Sequence, residues 1–318
     1  MPPVLKILAI TEYYNEVENI PGLVKNLSSQ THVPDLWLII DDGSSDNSTE
    51  VFIENLEKFN IPHLLYRMPP KSKPNANLKG RAFTKVDILN NEWVQQNKFD
   101  FLILIGADTR FPPTYIELST KIMHKLPIFG ALGARIRNEP GGSTPMGTGK
   151  IVCWDVVKAT SGRYWDLDPD SLWNLIATNM GYKLLIILDL VINVTRPTHM
   201  YAPSGFYDYG KRVKYLGWNL SSALAYSAIL FVRRTHPQHF LRGYIHSLIR
   251  DKNWRCNDPE VEEHFSVKRM IQRLIGAVRS QDEALMTRIG IDKQRESAID
   301  EEFVHRAVSI IRSKISNR

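Results

Sequence analysis

Three acidic clusters each close an apolar run. They are Thr11–Glu16 in "AITEYYNE", Asp41–Asp46 in "LIIDDGSSD" and Asp108–Arg110 in "LIGADTR". A carboxylate at the end of a buried strand can accept a hydrogen bond from a nucleobase N–H or a ribose hydroxyl. Asp41 and Asp42 stand out as adjacent carboxylates before a glycine and two serines. A plainer reading is a capped turn: Asp, Gly and Ser favour turns, and Asn47 with Glu50 has the spacing of a capping box. The turn accounts for Asn47 to Glu50 but less well for the paired carboxylates, so both readings stand at this point. A fourth acidic cluster, Asp166, Asp168 and Asp170, lies in "YWDLDPDSLW".

The elements that must position these groups alternate. Val4–Ile10 reads as a strand, and Ile20, Leu23, Val24 and Leu27 follow at helical spacing. Leu36–Ile40 is a second strand and Ser48–Phe59 an amphipathic helix. "HLLYRM" is a third strand, followed by a polar loop and a helix from about Arg81 to Asn97. "FDFLILIGAD" is a fourth strand ending at Asp108, and Pro112 and Pro113 open the next helix, a place proline tolerates. Four such alternations predict an open, mostly parallel α/β sheet, in which ligands bind beyond the carboxyl ends of the strands. The acidic clusters therefore converge on one edge. Further on, Lys150–Val157 reads as a strand. A helix, a glycine stop and another strand come next, and from Tyr207 the chain reads as helical with breaks at Gly217, Pro237 and Gly243.

The chain has 318 residues, 43% hydrophobic and 23% charged, as a folded protein with a sizeable core requires. Cys153 and Cys256 give neither a disulfide framework nor a zinc pattern, which fits a reducing compartment. The N-terminal apolar run is too short for a signal peptide, and no run reaches the roughly 18 apolar residues of a membrane span. These features predict a cytoplasmic chain, free or lying on the cytoplasmic face of a membrane. Charge is uneven: residues 1–200 hold 20 basic and 21 acidic residues, and residues 201–318 hold 20 and 13. The basic excess comes without a recognisable nucleic-acid module, so nucleic-acid binding is not expected.

"IIDDGSSDNSTE" resembles the signature of the family 2 glycosyltransferases, of GT-A fold. "AITEYYNEVENI", "NLKGRAFTKVDILN", "LIGADTRFPP" and "DLDPDSLWNLIATNMGYKL" resemble other family motifs in the same order, over roughly residues 4–200. The resemblance implies a Rossmann-like sheet flanked by helices. It divides the chain into a transferase domain, 1–200, and a basic helical C-terminal extension, 201–318. Within the first, the donor half covers about 1–112 and the acceptor half about 113–200. The implied reaction moves a sugar from a nucleoside-diphosphate sugar to an acceptor hydroxyl or lipid phosphate, with inversion.

The resemblance also implies roles. Charge builds on the leaving diphosphate, and a divalent ion, Mg²⁺ or Mn²⁺, neutralises it. Asp108 is the candidate ligand; Gly106 stands where the family usually has another Asp. Thr11, Asn15, Glu16, Asp41, Asp42, Lys79, Arg81, Ala107 and Asp108 are the candidate donor contacts. Asp170 or Asp168 is the candidate general base, with Pro169 in place of the usual Glu. The plain reading of Asp170 is a cap for a helix over Ser171–Met180. Trp165 and Trp173 could stack on a sugar face or be core, and Gly147 and Gly149 mark a close backbone approach or a simple turn. Saccharide and polyprenyl-phosphate-linked acceptors are the candidate partners. The tail segment "SVKRMIQRLIGAVRS" has a helical apolar face that suits a membrane surface, a core contact or an oligomer interface. Gly106 and Pro169 favour the alternative, a catalytically inactive nucleotide-sugar-binding protein. A nucleotidyltransferase would need a glycine-rich phosphate loop after strand one, and "ITEYYNEVEN" is not one.

Overall fold

Strand-forming runs with no polar alternation belong inside a sheet covered on both faces, and the computed structural model of the chain places them there. It describes residues 4–70, 92–137, 139, 144–160, 169–196, 202–252, 254–265, 286–291 and 300–316, without the side chains of 93, 169, 170 and 286–288. Ile7–Tyr13 (β1), Leu36–Asp41 (β2) and His63–Arg67 (β3) run parallel, with Tyr13 opposite Asp41 and Asp41 opposite Arg67. Phe101–Leu104 (β4) joins the other side of β1, also parallel. Ile20–Ser28 (α1) and Ser48–Phe59 (α2) bury Leu23, Val24, Leu27, Phe52 and Leu56. Of the helix expected from Arg81, Glu92–Gln96 (α3) is described.

The sheet continues through a strand of opposite sense. Thr109–Arg110 (β5) and the helix Tyr115–Lys125 (α4) lead to Phe129–Ile136 (β6), and Ile151–Cys153 (β7) lies antiparallel between β4 and β6. The expected strand to Val157 stops early, because Trp154–Ala159 (α5) is a helix that buries Trp154, Val156 and Val157. A short unbroken apolar run fits either structure, so periodicity alone does not choose. Pro169–Asn179 (α6) ends at Gly181, whose φ of +86° is the left-handed stop that glycine supplies. Lys183–Val194 (β8) then pairs parallel with β6, and β5 pairs antiparallel with its end.

The described residues up to 196, with 286–291 and 300–316, form one compact unit; residues 202–252 and 254–265 belong to a second. In the second, Pro203–Tyr215 (α7), Leu220–Val232 (α8) and Pro237–Arg250 (α9) share a cluster of Val213, Ala223, Leu230, Phe240 and Tyr244, and Pro259–His264 (α10) follows. Two segments of the region read as an extension belong to the first unit. Met286–Ile289 (β9) pairs parallel with β8. Glu301–Ser316 (α11) buries Phe303, Val304 and Ile311 in the main core, and Glu301 pairs with Lys121 of α4. Strand order is thus β3-β2-β1-β4-β7-β6-β8-β5, with β9 also on β8. This is the mixed but mostly parallel α/β sheet the sequence predicts. Among the described residues, no helix is long and apolar enough to cross a membrane.

Gly243 does not break a helix. It lies inside α9, where the backbones of α7 and α9 touch. A Cβ on Gly243 would sit 1.9 Å from the Tyr207 carbonyl oxygen, and one on Gly210 would sit 2.0 Å from that of Phe240. Gly243→Ala must separate the helices and should cost roughly 1–3 kcal/mol. Hydrogen exchange should show faster amide exchange across 207–250 and unchanged protection in β1 and β2. Unaltered protection in 207–250 would mean that the two helices need no such close approach.

Candidate functional site

The end of β2 is built around Asp41. Its buried carboxylate accepts the Ser44 N–H at 2.7 Å and the Thr49 hydroxyl, with the Arg67 guanidinium 3.6 Å away. Asp41 is thus the anchor of the turn. Asp42 follows, its N–H donating to the Tyr13 carbonyl at 2.8 Å. Asp42 lies just past the end of β2 and is itself buried. Gly43 has φ +77°, and a Cβ there would lie 2.3 Å from the Pro69 carbonyl oxygen. The expected capping box is replaced. Asn47 makes no side-chain cap bond; Asp46 accepts the Ser48 N–H at 3.1 Å, and Glu50 pairs with Arg67 at 3.0 Å.

The loop after β1 is laced to this turn. Asn15 sits at φ +54°, a conformation asparagine tolerates. Its N–H donates to Ser44 Oγ at 3.0 Å, and its Oδ1 accepts the Ser45 N–H at 2.8 Å. The Glu16 N–H donates to Ser48 Oγ at 2.8 Å. Thr11 does not reach this surface: it is buried, and its hydroxyl accepts the Trp37 indole N–H at 2.9 Å.

After β4, the Gly106 N–H donates to Thr148 Oγ1 at 2.9 Å. A Cβ on Gly106 would come within 3.1 Å of Asp108 Oδ1, so the missing side chain leaves room for that carboxylate. Ala107 is buried beside it. Arg196 bonds Glu16, and its Nε lies 3.7 Å from Asp108 Oδ2. The backbone brings these groups together: β5 pairs with the end of β8, and the Thr195 N–H donates to the Asp108 carbonyl at 2.9 Å. Asn19 closes the ring, donating to Glu16 at 2.7 Å and accepting the Thr195 hydroxyl at 2.8 Å. Burial pushes the Asp108 pKa above its ordinary value; Arg196 opposes the rise and Glu16 adds to it.

Asn15, Glu16, Asp42, Ala107 and Asp108 therefore gather at the carboxyl ends of the strands, with Asp41 fixed behind them. The backbone of Asp170 lies within the first turn of α6, not at its cap. Asp168, Lys79, Arg81, Trp165 and residues 266–280 lie outside the described residues. Trp173 is core, and Gly149, at φ +73°, is a turn packed against Tyr115 and Ile192. Arg196 and Asn19 were not anticipated. The signal for Arg196 is its place two residues past the end of β8, which matters only once β8 is known to reach β5. Among the described residues no three Asp, Glu, His or Cys side chains gather. Glu16 and Asp108 are two carboxylates sharing one cation. That set fits a hard divalent ion which takes its remaining ligands from phosphate and water. A cavity of about 550 Å³ lies elsewhere, lined by Asp100, Phe101, Phe129, Cys153 and Tyr182 near the amino ends of β4 and β6.

The profile of glycosyl transferase family 2 matches residues 9–183. That is more than half of the chain, which belongs to this family. A search of curated protein sequences gave no match. Among solved structures, the mannosyltransferase PcManGT from Pyrobaculum calidifontis, in complex with GDP-Man and Mn²⁺, is similar at 12% identity and TM-score 0.50. The match covers 89% of this chain and 83% of that one. TarS of S. aureus is similar at 14% identity and TM-score 0.46, over 78% of this chain. The chain spans 45% of the length of that TarS chain. The GT-A fold follows from the family and from the likeness to PcManGT.

Arg196→Gln removes the charge that holds the Asp108 pKa down and leaves burial and Glu16, which both push it up. Carboxyl ¹³C NMR should show Asp108 titrating at higher pH in the variant. A folded pKa above the unfolded one means that ionising Asp108 costs stability as pH rises from the unfolded value through the folded one. The variant should widen that window. An unchanged Asp108 titration would separate Arg196 from the pair.

Proposed function

We propose that this chain is an inverting hexosyltransferase that moves a sugar from a nucleoside-diphosphate sugar to an acceptor hydroxyl or lipid phosphate. The observation that carries the proposal is the convergence of Asn15, Glu16, Asp42, Asp108 and Arg196 at the carboxyl ends of the parallel strands. Asp42 accepts from the base or ribose. Arg196 offers the diphosphate a fixed cation, and Lys79 and Arg81 are further candidate cations for it. Asp108, with Glu16, would hold a divalent ion, Mg²⁺ or Mn²⁺, which when bound supplies charge neutralisation for the leaving diphosphate. The Mn²⁺ and GDP-Man held by PcManGT support this choice of metal and donor class.

The acceptor hydroxyl is a weak nucleophile and requires a positioned base. Asp170, whose backbone lies in the first turn of α6, takes that role. Asp168 is the alternative base. A chain that binds the donor without transferring is the second reading, favoured by Gly106 and Pro169 at two family motif positions.

The test is a titration against UDP-, GDP- and dTDP-sugars with and without Mn²⁺ or Mg²⁺, with release of the nucleoside diphosphate followed in the same samples. Asp170→Asn should lower transfer by roughly 10²–10⁴-fold and leave donor affinity nearly unchanged; full activity would move the base to Asp168. Asp108→Ala should weaken metal-dependent donor binding, and an unaltered metal titration would remove Asp108 from the site. Binding of no donor would overturn the proposal.

A further inference from the structure

Helix α8, LSSALAYSAILFV, is built inside out. Its inward positions are mostly small or hydroxyl-bearing: Ser222, Ala223 and Ser227 are buried with Leu230. Its large apolar side chains face outward. Leu220, Leu224 and Ile229 are exposed, Phe231 is 75% exposed and Val232 80%. A helix that is apolar all round is normally covered on every side. The next helix, α9, buries Phe240 and Tyr244 with Gly243 yet also leaves large apolar side chains, Ile245, Leu248 and Ile249, exposed.

The charge around these faces has one sign. From Tyr209 to Arg250 the chain has no Asp or Glu and seven Lys or Arg. Arg233 and Arg234 follow directly on Val232, and Arg242 and Arg250 lie on α9. All four are exposed, and among the described residues none of them forms an ion pair.

We propose that the outward face of α8, with that of α9, docks on an anionic lipid bilayer. At 13 and 14 residues and about 1.5 Å per residue, neither helix spans the hydrocarbon core, so both would lie in the interface plane. Phe231, Val232, Leu224 and Ile249 enter the acyl boundary, and the arginines meet lipid phosphates. A second copy of this chain is a poorer occupant, because a two-fold contact would bring like-charged arginines together. An anionic membrane satisfies the apolar and the basic groups at once. The proposal stands independently of the donor site.

The test is flotation of the full chain with vesicles of phosphatidylcholine alone and with about 30% phosphatidylserine. The parent should float with the anionic vesicles and lose binding as salt is raised. Phe231→Ser with Val232→Ser should weaken binding at least tenfold. Arg233→Gln with Arg234→Gln should weaken binding to anionic vesicles by roughly fivefold per arginine and flatten the salt dependence. These positions are exposed, so circular dichroism should show unchanged folding. Failure to float with either vesicle, or floating that both double variants leave intact, overturns the proposal. So does a dimer that Phe231→Ser dissociates in a chain that never floats, which would assign the face to a second copy.

Discussion

One guanidinium holds the strand-end loops in a common frame. Arg196 meets Glu16 from the loop after β1 and Asp108 from the loop after β4. Without a cation there, the Glu16 charge would add unopposed to the burial that already makes Asp108 costly to ionise. Its position is in turn a backbone matter. A two-residue strand, Thr109–Arg110, pairs with Val194 and Asn193, which carries the end of the long strand β8 across to the loop that ends β4. Arg110 adds a brace, donating to the Asn19 carbonyl at 2.9 Å. The loops that the first, fourth and eighth strands deliver are thus tied by a few polar contacts.

Of the paired aspartates, Asp41 supports the turn. Asp41 takes a backbone donor, a hydroxyl and a nearby guanidinium, so its charge is compensated where it is buried. That fixes the path of the turn through Gly43 to Ser45. The same turn receives Asn15 and offers Ser48 to the Glu16 backbone. Asp41 therefore sets the geometry of the loop residues beside it. The turn reading holds for Asp41, though Asp46 rather than Asn47 bonds the Ser48 N–H.

What the sequence made legible follows from local pattern. Amphipathic spacing marked α1 and α2, and unbroken apolar runs marked β2 and the core of β4. Polar clusters after those runs pointed to the candidate site, because side chains at the carboxyl ends of parallel strands share an edge. The rest depended on pairing between distant segments. Nothing local shows that Thr109 meets Val194, that Met286–Ile289 completes the edge beside β8, or that α11 covers α4. Arg196 stayed hidden for that reason, although its residue type suits the chemistry. The switch from β7 to α5 inside "IVCWDVV" was equally unreadable, since a strand in a two-sided sheet and a buried helix need the same residues.

The chain connectivity carries a consequence for biosynthesis. The helical unit is inserted within the sequence of the sheet-bearing unit, whose last strand and last helix come after it. A ribosome therefore delivers all of α7 to α10 while the β8 edge between Leu184 and Ile187 still lacks β9. An unpaired strand edge is a template for association with other chains. The nascent protein must carry that edge until more than ninety further residues have emerged, an interval in which shielding by a chaperone, or early docking of the inserted helices with one another, would matter most.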